Sequence, residues 1–357
     1  MTTSEKNTPK NIRHLDAGEI KTFFVERGEP AFRAAQVYEW LWKKSAHSFD
    51  DMSNLPKPTR EVLKENFVIG AVVTELTQLS KDGTIKNAFR LHDGKKVEGV
   101  LIPAEKRMTA CISSQVGCSL ECRFCATGRL KRERNLEADE IYDEVVFLQR
   151  QAMEKYNTPL TNIVLMGMGE PLLNYANVMA AIQKITSPEG LNLSSQRITL
   201  STAGVAKMIK KLGDDEVKFN LALSLHAATD EKRNKIMSIN ETNPLKDVAE
   251  ALRYFYKKTK SRVTYEYIVF QDFNDTPEDV YHLAEFCKKV PSKVNLIEYN
   301  PIDKGEFKQT VPERLDMFVK YLRSKDIIVN VRRSRGKDID AACGQLANKV
   351  VNEAGSR

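Results

Sequence analysis

From about Arg107 onward the sequence alternates short apolar runs with longer amphipathic stretches, and this order limits the fold more than any other feature of the chain. Regular alternation of strands and helices is typical of a parallel sheet or barrel, in which functional side chains lie at the carboxyl ends of the strands. We therefore predict an α/β fold. The expected strands cover residues 108–112, 162–166, 197–201, 218–224, 263–270, 294–299 and 327–331, with helical patterns between them at, for example, 138–155, 175–186 and 277–290.

The first part of the chain has a different pattern. Three helical stretches, at 17–27, 32–44 and 57–66, precede alternating segments at 71–79, 85–91 and 96–102. His92-Asp93-Gly94 separates the last two segments and is a hairpin signal. These patterns predict a small separate α+β module. The predicted division is an accessory domain at residues 1–95, a barrel domain at 96–346 and a tail at 347–357.

The composition favours a cytoplasmic protein without a membrane span. Of the 357 residues 41% are hydrophobic, and no apolar run is long enough to cross a bilayer. The N-terminus lacks the apolar stretch of a secretory signal, so a reducing compartment is expected. Six cysteines in such a compartment indicate metal binding or catalysis rather than structural disulfides. The net charge of +7 is concentrated after residue 320 and at 129–134, which suits a polyanionic partner.

Three cysteines, Cys118, Cys122 and Cys125, lie in one short segment after the first expected barrel strand. Iron–sulfur clusters are normally held by four cysteines, so a set of three leaves one iron open to a small ligand. An open iron indicates chemistry rather than plain electron transfer. The alternative is a zinc ion with Cys111 as its fourth ligand, although the spacing differs from the paired C-x2-C motifs of zinc sites.

This cysteine segment resembles the signature of the radical S-adenosylmethionine (SAM) superfamily, and further segments extend the resemblance. They are residues 111–118 (CISSQVGC), 124–128 (FCATG), 166–172 (MGMGEPL), 201–204 (STAG), 224–227 (SLHA) and 338–346 (DIDAACGQL). Together they resemble the RlmN/Cfr family of RNA adenine methyltransferases over about residues 32–346. Val116, Pro171 and the approach to Cys111 resemble the branch that methylates C2 of adenine rather than the branch that methylates C8.

The resemblance implies a partial (β/α)6 radical SAM barrel and a [4Fe–4S] cluster held by Cys118, Cys122 and Cys125, with two SAM molecules used per turnover. It further implies methylation of an adenosine in the peptidyl-transferase centre of 23S rRNA and of the adenosine 3′ to the anticodon in certain tRNAs. A flavodoxin- or ferredoxin-type protein is the expected electron donor, and a monomer is the expected state.

The resemblance also assigns roles to single residues. Cys343 would carry the methyl group in a ping-pong mechanism, Cys111 would form a disulfide with it, and Glu98 would accept a proton. From the pattern alone, Glu98 fits equally an outward strand residue, and Cys111, like Cys287, a buried small apolar residue. The expected SAM contacts are Gly169, Glu170, Ser201, Ser224, Leu225, His226 and Asn300. The expected phosphate contacts are Arg332, Arg333 and Arg335.

Overall fold

The computed structural model describes residues 9–348, so most of the predicted tail lies outside the described residues. The helices are α1 (Ala17–Val25), α2 (Phe32–Trp42), α3 (Lys57–Asn66), α4 (Ala138–Tyr156), α5 (Tyr175–Thr186), α6 (Ala206–Asp214), α7 (Asp230–Ile236), α8 (Ile239–Thr242), α9 (Leu245–Thr259), α10 (Pro277–Cys287) and α11 (Pro312–Ser324). No helix within this part of the chain has the length and apolar content needed to cross a bilayer.

Most of the strands join one large sheet. The strands are β1 (Lys10–Asn11), β2 (Phe67–Val68), β3 (Val73–Leu79), β4 (Ile85–Arg90), β5 (Lys96–Ala104), β6 (Arg107–Cys111), β7 (Gln115–Val116), β8 (Arg134–Asn135), β9 (Asn162–Leu165), β10 (Ile198–Thr202), β11 (Asn220–Ser224), β12 (Val263–Val269), β13 (Ser292–Glu298) and β14 (Ile328–Arg332). Ten of them form a single sheet in the order β14-β13-β12-β11-β10-β9-β6-β5-β4-β3.

Seven neighbouring strands of this sheet, from β6 to β14, are parallel. Helices cover each crossover between them, and all seven residues of β12 are buried, as expected for a strand that is covered on both faces. The predicted α/β fold with a partial (β/α)6 barrel is therefore confirmed, and β14 adds a seventh parallel strand at the edge. Because parallel strands end on the same side, the loops after β6, β9, β10, β11, β12 and β13 meet above one end of the barrel.

The strands predicted as part of a separate module instead extend the barrel sheet. The hairpin at residues 92–94 is confirmed, since β4 and β5 pair antiparallel around it. However, β5 also pairs antiparallel with β6, the first barrel strand. Local alternation predicts a strand but not its partner, which is why the sequence did not show this continuity. The division of the chain at residue 95 stays a prediction.

The segment before α1 is joined to α4 by a buried ion pair. Arg13 Nη1 donates to Asp143 Oδ1 at 2.6 Å, and neither side chain is more than 3% exposed. The guanidinium of Arg13 also donates to the carbonyl of Ala46 and lies over the ring of Trp42. A buried pair with several hydrogen bonds fixes the relative position of two elements, because separating them would leave a charge without a partner.

Candidate active site

The loop that carries Cys118, Cys122 and Cys125 follows β6 and is closed by short backbone pairings. Strand β7 pairs antiparallel with β8, and the Cys118 N–H donates to the carbonyl of Leu130 at 3.2 Å. Gly117 has a φ of +73°, and a Cβ at this position would lie 2.3 Å from the Lys131 carbonyl oxygen. Only glycine tolerates both that conformation and that close contact. The loop is therefore held tightly against the segment that follows it.

The three cysteines of this loop line one cavity. Each is partly buried, and the charges of both Cys118 and Cys125 act on Cys122. Burial raises the pKa of Cys118 to about 11 and also raises the pKa values of Cys122 and Cys125. Buried thiols with raised pKa values ionise when a cation is bound beside them. This donor set therefore fits a thiolate-bound iron–sulfur cluster.

Gly169 and Glu170 follow β9, as the sequence predicted. Gly169 has a φ of +95°, and a Cβ there would lie 2.5 Å from Gln115 Cβ. The buried Glu170 side chain accepts hydrogen bonds from the N–H groups of Ala203 at 2.7 Å and Leu172 at 3.1 Å. Its carboxylate thereby ties the end of β9 to the end of β10. Each oxygen has a second lone pair with which it could accept a bond from a ligand.

Ser201, Ser224 and His226 lie at the ends of β10 and β11. Ser201 Oγ and Ser224 Oγ are 3.3 Å apart. Burial lowers the pKa of His226 to about 3, so its ring is neutral at neutral pH. The ring accepts a hydrogen bond at Nδ1 from the Ile268 N–H at 3.1 Å, which places its own proton on Nε2. Leu225 lies between Ser224 and His226 with its side chain fully buried in the core.

Asn300 connects the barrel to the loop of Cys343. Its Nδ2 donates to the Cys343 carbonyl at 3.2 Å. Its Oδ1 is buried and has no hydrogen-bond partner within residues 9–348. A buried acceptor without a partner costs about 1–3 kcal/mol, so this atom is suited to receive a donor from a bound ligand. Amino and hydroxyl groups of a nucleoside are donors of this kind.

A single cavity collects most of the predicted site residues. Its lining includes the three loop cysteines together with Gly169, Glu170, Ser201, Ser224, His226 and Cys343. Two backbone-directed bonds join the cysteine loop to the Cys343 segment: the Ala126 N–H donates to the Gly344 carbonyl at 2.7 Å, and Thr127 Oγ1 donates to the Leu346 carbonyl at 2.6 Å. The fold thus brings residues from the beginning and the end of the barrel domain's sequence to the same cavity.

Cys111 lies next to this cavity, on β6. It is 7% exposed, and burial together with the nearby Cys343 charge raises its pKa well above the usual value for a thiol. The charges of both cysteines also raise the pKa of Arg332, which lines the cavity with Cys343. The role of Cys111 as a disulfide partner stays a prediction.

Arg332, which was predicted to contact phosphate, is the last residue of β14. Its side chain lines the cavity beside Cys343, and its Nη1 forms an ion pair with Glu266 at 2.9 Å. The Arg332 side chain is 35% exposed and is paired with a buried carboxylate, so its phosphate role stays a prediction. Arg333 and Arg335 are exposed, and a phosphate role for them stays a prediction.

Glu98 is buried rather than facing outward, so the interpretation as a solvent-facing strand residue is wrong. It is 2% exposed and forms an ion pair with Lys86 at 3.3 Å. Its Oε2 accepts the N–H groups of Ala347 at 2.8 Å and Asn348 at 3.2 Å. The residue thus contacts the segment that directly follows the Cys343 loop.

The turn between β3 and β4 holds the other side of the Cys343 loop. Asp82 Oδ2 accepts the Gly336 N–H at 2.9 Å, and Asp338 accepts the Ser80 hydroxyl at 2.5 Å and the Lys81 N–H at 3.1 Å. No signal in the sequence connected this turn with a loop so far along the chain.

Two further residues that organise the site were missed from the sequence. Arg233 is fully buried and donates to the carbonyls of Ala203, Ser224 and Leu225, which fixes the ends of β10 and β11. It lies in the charged segment 230–235, where nothing distinguishes it from a solvated residue. Glu266 does carry a signal, because a glutamate inside the apolar run 263–270 is unusual for a buried strand.

Comparison with known proteins agrees with this geometry. Residues 10–69 match the ribosomal RNA large subunit methyltransferase N-terminal domain, and residues 112–287 match the radical SAM superfamily. A protein of Cytophaga hutchinsonii named probable dual-specificity RNA methyltransferase RlmN is 63% identical, covering 98% of this chain and 96% of that protein. A protein of the same name from Christiangramia forsetii is 61% identical, covering 96% and 98% respectively. The crystal structure of a radical SAM methyltransferase from Sphaerobacter thermophilus superimposes with a TM-score of 0.89 at 37% identity, over 95% of this chain and 99% of that one.

Proposed function

The chain belongs to the RlmN family of radical SAM RNA methyltransferases, and we propose that it methylates C2 of adenosine in RNA through a methyl group carried on Cys343. The proposed substrates are an adenosine in the peptidyl-transferase centre of 23S rRNA and the adenosine 3′ to the anticodon in some tRNAs. Family membership sets aside the alternative of a non-catalytic zinc protein. Methylation of C8 is the remaining alternative.

The observation that carries the proposal is the cavity shared by the three-cysteine loop and Cys343. C2 of adenine lies between two ring nitrogens and is electron-poor, so it does not attack an electrophilic methyl group. A carbon-centred radical, in contrast, can add to this carbon. When bound, a [4Fe–4S] cluster with SAM on its open iron supplies the 5′-deoxyadenosyl radical that starts such chemistry.

Residues that line the cavity fit these groups, together with Leu225 and Asn300, which adjoin its lining without belonging to it. Cys118, Cys122 and Cys125 would hold the cluster, and Gly169, Glu170, Ser201, Ser224, Leu225, His226 and Asn300 would hold the SAM. The free Oδ1 of Asn300 supports a polar contact to this ligand, and the Glu170 carboxylate is suited to its ammonium group. Because the side chain of Leu225 is buried in the core, any contribution from this residue comes from its backbone.

Cys343 is proposed to act twice. Its thiolate first displaces the methyl group of one SAM molecule, so that a sulfur–carbon bond forms to Cys343 while the methyl–sulfonium bond breaks and S-adenosylhomocysteine leaves. After a second SAM molecule has been cleaved and a hydrogen removed from the S-methyl group, the methylene carbon on Cys343 bonds to C2. Two SAM molecules are thereby consumed per turnover.

Glu98 and Cys111 are proposed to release the product. The radical adduct would return one electron to the cluster while Glu98 accepts the C2 proton, which leaves a closed-shell adduct. The Cys111 thiolate would then attack the Cys343 sulfur, forming a disulfide as the sulfur–carbon bond breaks. The released carbon then takes a proton and becomes the new methyl group. Two electrons from the proposed electron donor would return both cysteines to thiols before the next turnover. The burial of Glu98 beside Ala347 and Asn348 supports a role at this loop.

The proposed chemistry needs reduced thiols and a source of electrons. We propose that the protein works as a monomer in the cytoplasm, where its thiols stay reduced, and that a flavodoxin- or ferredoxin-type protein supplies the electrons.

The test is the identity of the product. The protein, purified and reconstituted without oxygen, is incubated with SAM, a reductant and an unmodified 23S rRNA fragment, and the RNA is digested to nucleosides. We expect 2-methyladenosine by chromatography and mass spectrometry. Formation of 8-methyladenosine would show C8 chemistry, and the absence of both from an enzyme that cleaves SAM would overturn the proposed substrate.

A further inference from the structure

A second cleft, with a volume of about 730 Å³, opens on the outer side of the cysteine loop. Within the described part of the chain, the residues that line both this cleft and the active-site cavity are Cys118 and Cys122. Cys343, Ser201 and His226 line the inner cavity and do not line the cleft. The cleft therefore gives access to two proposed cluster ligands from outside, without giving access to the methyl-carrying cysteine.

The lining of this cleft is predominantly basic. Its charged residues are Arg123, Arg129, Lys131 and Arg132, together with Glu121 and Glu306. Arg123 forms an ion pair with Glu306 at 2.5 Å. Arg132 donates to the neutral side chain of Asn135 at 3.1 Å, and Lys131 is exposed. The cleft thus presents an excess of positive charge to the solvent.

The basic residues are held in a fixed place beside the cysteines. Glu133 donates its N–H to the Val116 carbonyl at 2.9 Å, within the pairing of β7 and β8. The close approach of Gly117 to the Lys131 backbone fixes the same segment from the other side. Charges on a rigid segment act as a preorganised docking surface, since little side-chain and backbone entropy is lost on binding.

Two kinds of partner carry the matching negative charge, RNA and an acidic protein. An RNA base has to reach Cys343, which lines the inner cavity, and contacts in the outer cleft do not bring it there. An electron has to reach only the cluster. Resting on the proposed function, we propose that this cleft is the docking site of an acidic one-electron carrier protein. The carrier is oxidised by one electron and the cluster is reduced by one, and no covalent bond changes.

Such a complex is expected to be weak and dependent on ionic strength. Electron-transfer partners form small interfaces that bury less than about 1,200 Å², and their association is steered by complementary charge that salt screens. A donor that dissociates after each transfer suits an enzyme that needs one electron at a time.

The test reverses two charges at the rim of the cleft. The variant is Lys131→Glu/Arg132→Glu, and the matched control is Lys207→Glu/Lys210→Glu, two exposed lysines on α6. The reconstituted proteins are first checked for wild-type iron content. Binding of a purified flavodoxin is then measured at low and high salt, and the bleaching of the cluster absorbance is followed after addition of reduced flavodoxin or of dithionite.

In the cleft variant we expect the Kd for flavodoxin to rise about tenfold or more at low salt, and bleaching by flavodoxin to slow accordingly. Bleaching by dithionite, which needs no docking surface, keeps the wild-type rate, and the α6 control behaves as wild type throughout. Unchanged flavodoxin binding overturns the proposal. A fall in RNA affinity with unchanged flavodoxin binding would assign the cleft to RNA instead. Neither binding nor bleaching requires RNA methylation, so failure of the proposed C2 chemistry would leave this result standing.

Discussion

The two loops that meet in the active site are held in different ways. The cluster loop, residues 112–125, is closed by neighbours in sequence, since β7 pairs with β8 and Cys118 bonds to Leu130. It is also joined to neighbouring barrel loops, since the Arg123 N–H donates to the Ile236 carbonyl at 3.1 Å and Ser238 Oγ donates to the Leu120 carbonyl at 2.8 Å. The Cys343 loop, residues 333–346, lies near the C-terminal end of the barrel domain's sequence. It is fixed by distant residues, among them Asp82, Ser80 and Asn300.

This difference separates two properties of the enzyme. The contacts of the cluster loop lie within residues 112–135 and in neighbouring barrel elements. We therefore expect its iron binding to be insensitive to the turn between β3 and β4. The Cys343 loop depends on the antiparallel strands β3–β5, which extend the barrel sheet and whose first turn binds the loop. We therefore expect changes in the two loops to affect different measurements, with iron content reporting on the first and methyl transfer on the second.

The largest effect is expected from Cys122→Ala. Removing one of three ligands should abolish the cluster, which we expect in the wild type at about four irons per chain, and with it the formation of 5′-deoxyadenosine. Cys343→Ala should keep the iron and the visible spectrum, because it lies outside the ligand set. Cys287→Ala, in α10, is the control for loss of a cysteine as such. Full iron content in Cys122→Ala would show that the cluster is held differently.

A smaller effect is expected when the glycine that turns each loop is replaced. Gly336 has a φ of +67°, and an added Cβ would lie 2.7 Å from Ala341 Cβ. A left-handed conformation costs a non-glycine residue about 1–2 kcal/mol, and the close contact adds to this. Gly336→Ala should lower RNA methylation about tenfold with normal iron, whereas Gly117→Ala should lower the iron content.

Gly94→Ala is the matched control for both changes. Gly94 also has a positive φ, +80°, but has no atom within 4 Å of an added Cβ. The Gly94→Ala variant therefore measures only the free-energy cost of a left-handed backbone conformation, at a site outside either loop. Equal loss of iron in Gly336→Ala and Gly117→Ala would contradict the separation of the two loops.

The smallest effect is expected at His14, which contacts neither loop. The carboxylates of Asp139 and Glu137, 3.8 Å and 3.0 Å from its Nε2, raise the pKa of His14 from 6.5 to about 8. The protonated form is favoured by folding, so this stabilisation is complete below about pH 6.5 and is lost as the pH rises through about 8. Because the side chain is 41% exposed, screening should keep the effect below about 1 kcal/mol.

Urea unfolding of the wild type and of His14→Gln between pH 6 and 9 measures this term. The free energy of unfolding of the wild type should fall over the interval more than that of the variant, with His282→Gln as the control for loss of an exposed histidine. Iron content and methylation at pH 7 should not change. Identical pH profiles for wild type and His14→Gln would show that the contacts of His14 are not formed in solution.

Local patterns in the sequence predicted the secondary structure well, and they showed that three cysteines lie in one loop. The helices at α3 and α5 were expected at their observed bounds, and the seven parallel strands lie within about two residues of their predicted positions. Periodicity and turn signals depend on neighbouring residues, so they predict helices and strands without knowledge of the tertiary contacts. The same holds for three cysteines within eight positions.

What the sequence could not show is contact between distant segments. The pairing of β5 with β6, the burial of Glu98 and the ion pair of Arg332 with Glu266 all depend on which elements become neighbours. Arg333 and Arg332 are adjacent and chemically identical, yet one is exposed and the other is paired with Glu266. Their position distinguishes them, because Arg332 is the last residue of β14 and its side chain reaches Glu266 on β12.

The most direct test of the proposed mechanism compares two cysteine variants with labelled RNA on denaturing gels. Cys343 has to act before the radical step and Cys111 only after it. We therefore expect Cys111→Ala to methylate Cys343, bond to the adenine and stall, which gives a protein–RNA band of reduced mobility. Cys343→Ala should remain unmethylated at this position and give no such band. Normal turnover by Cys111→Ala without an adduct would contradict the assignment of Cys111 as the disulfide partner, and an adduct formed by Cys343→Ala would contradict the central role of Cys343.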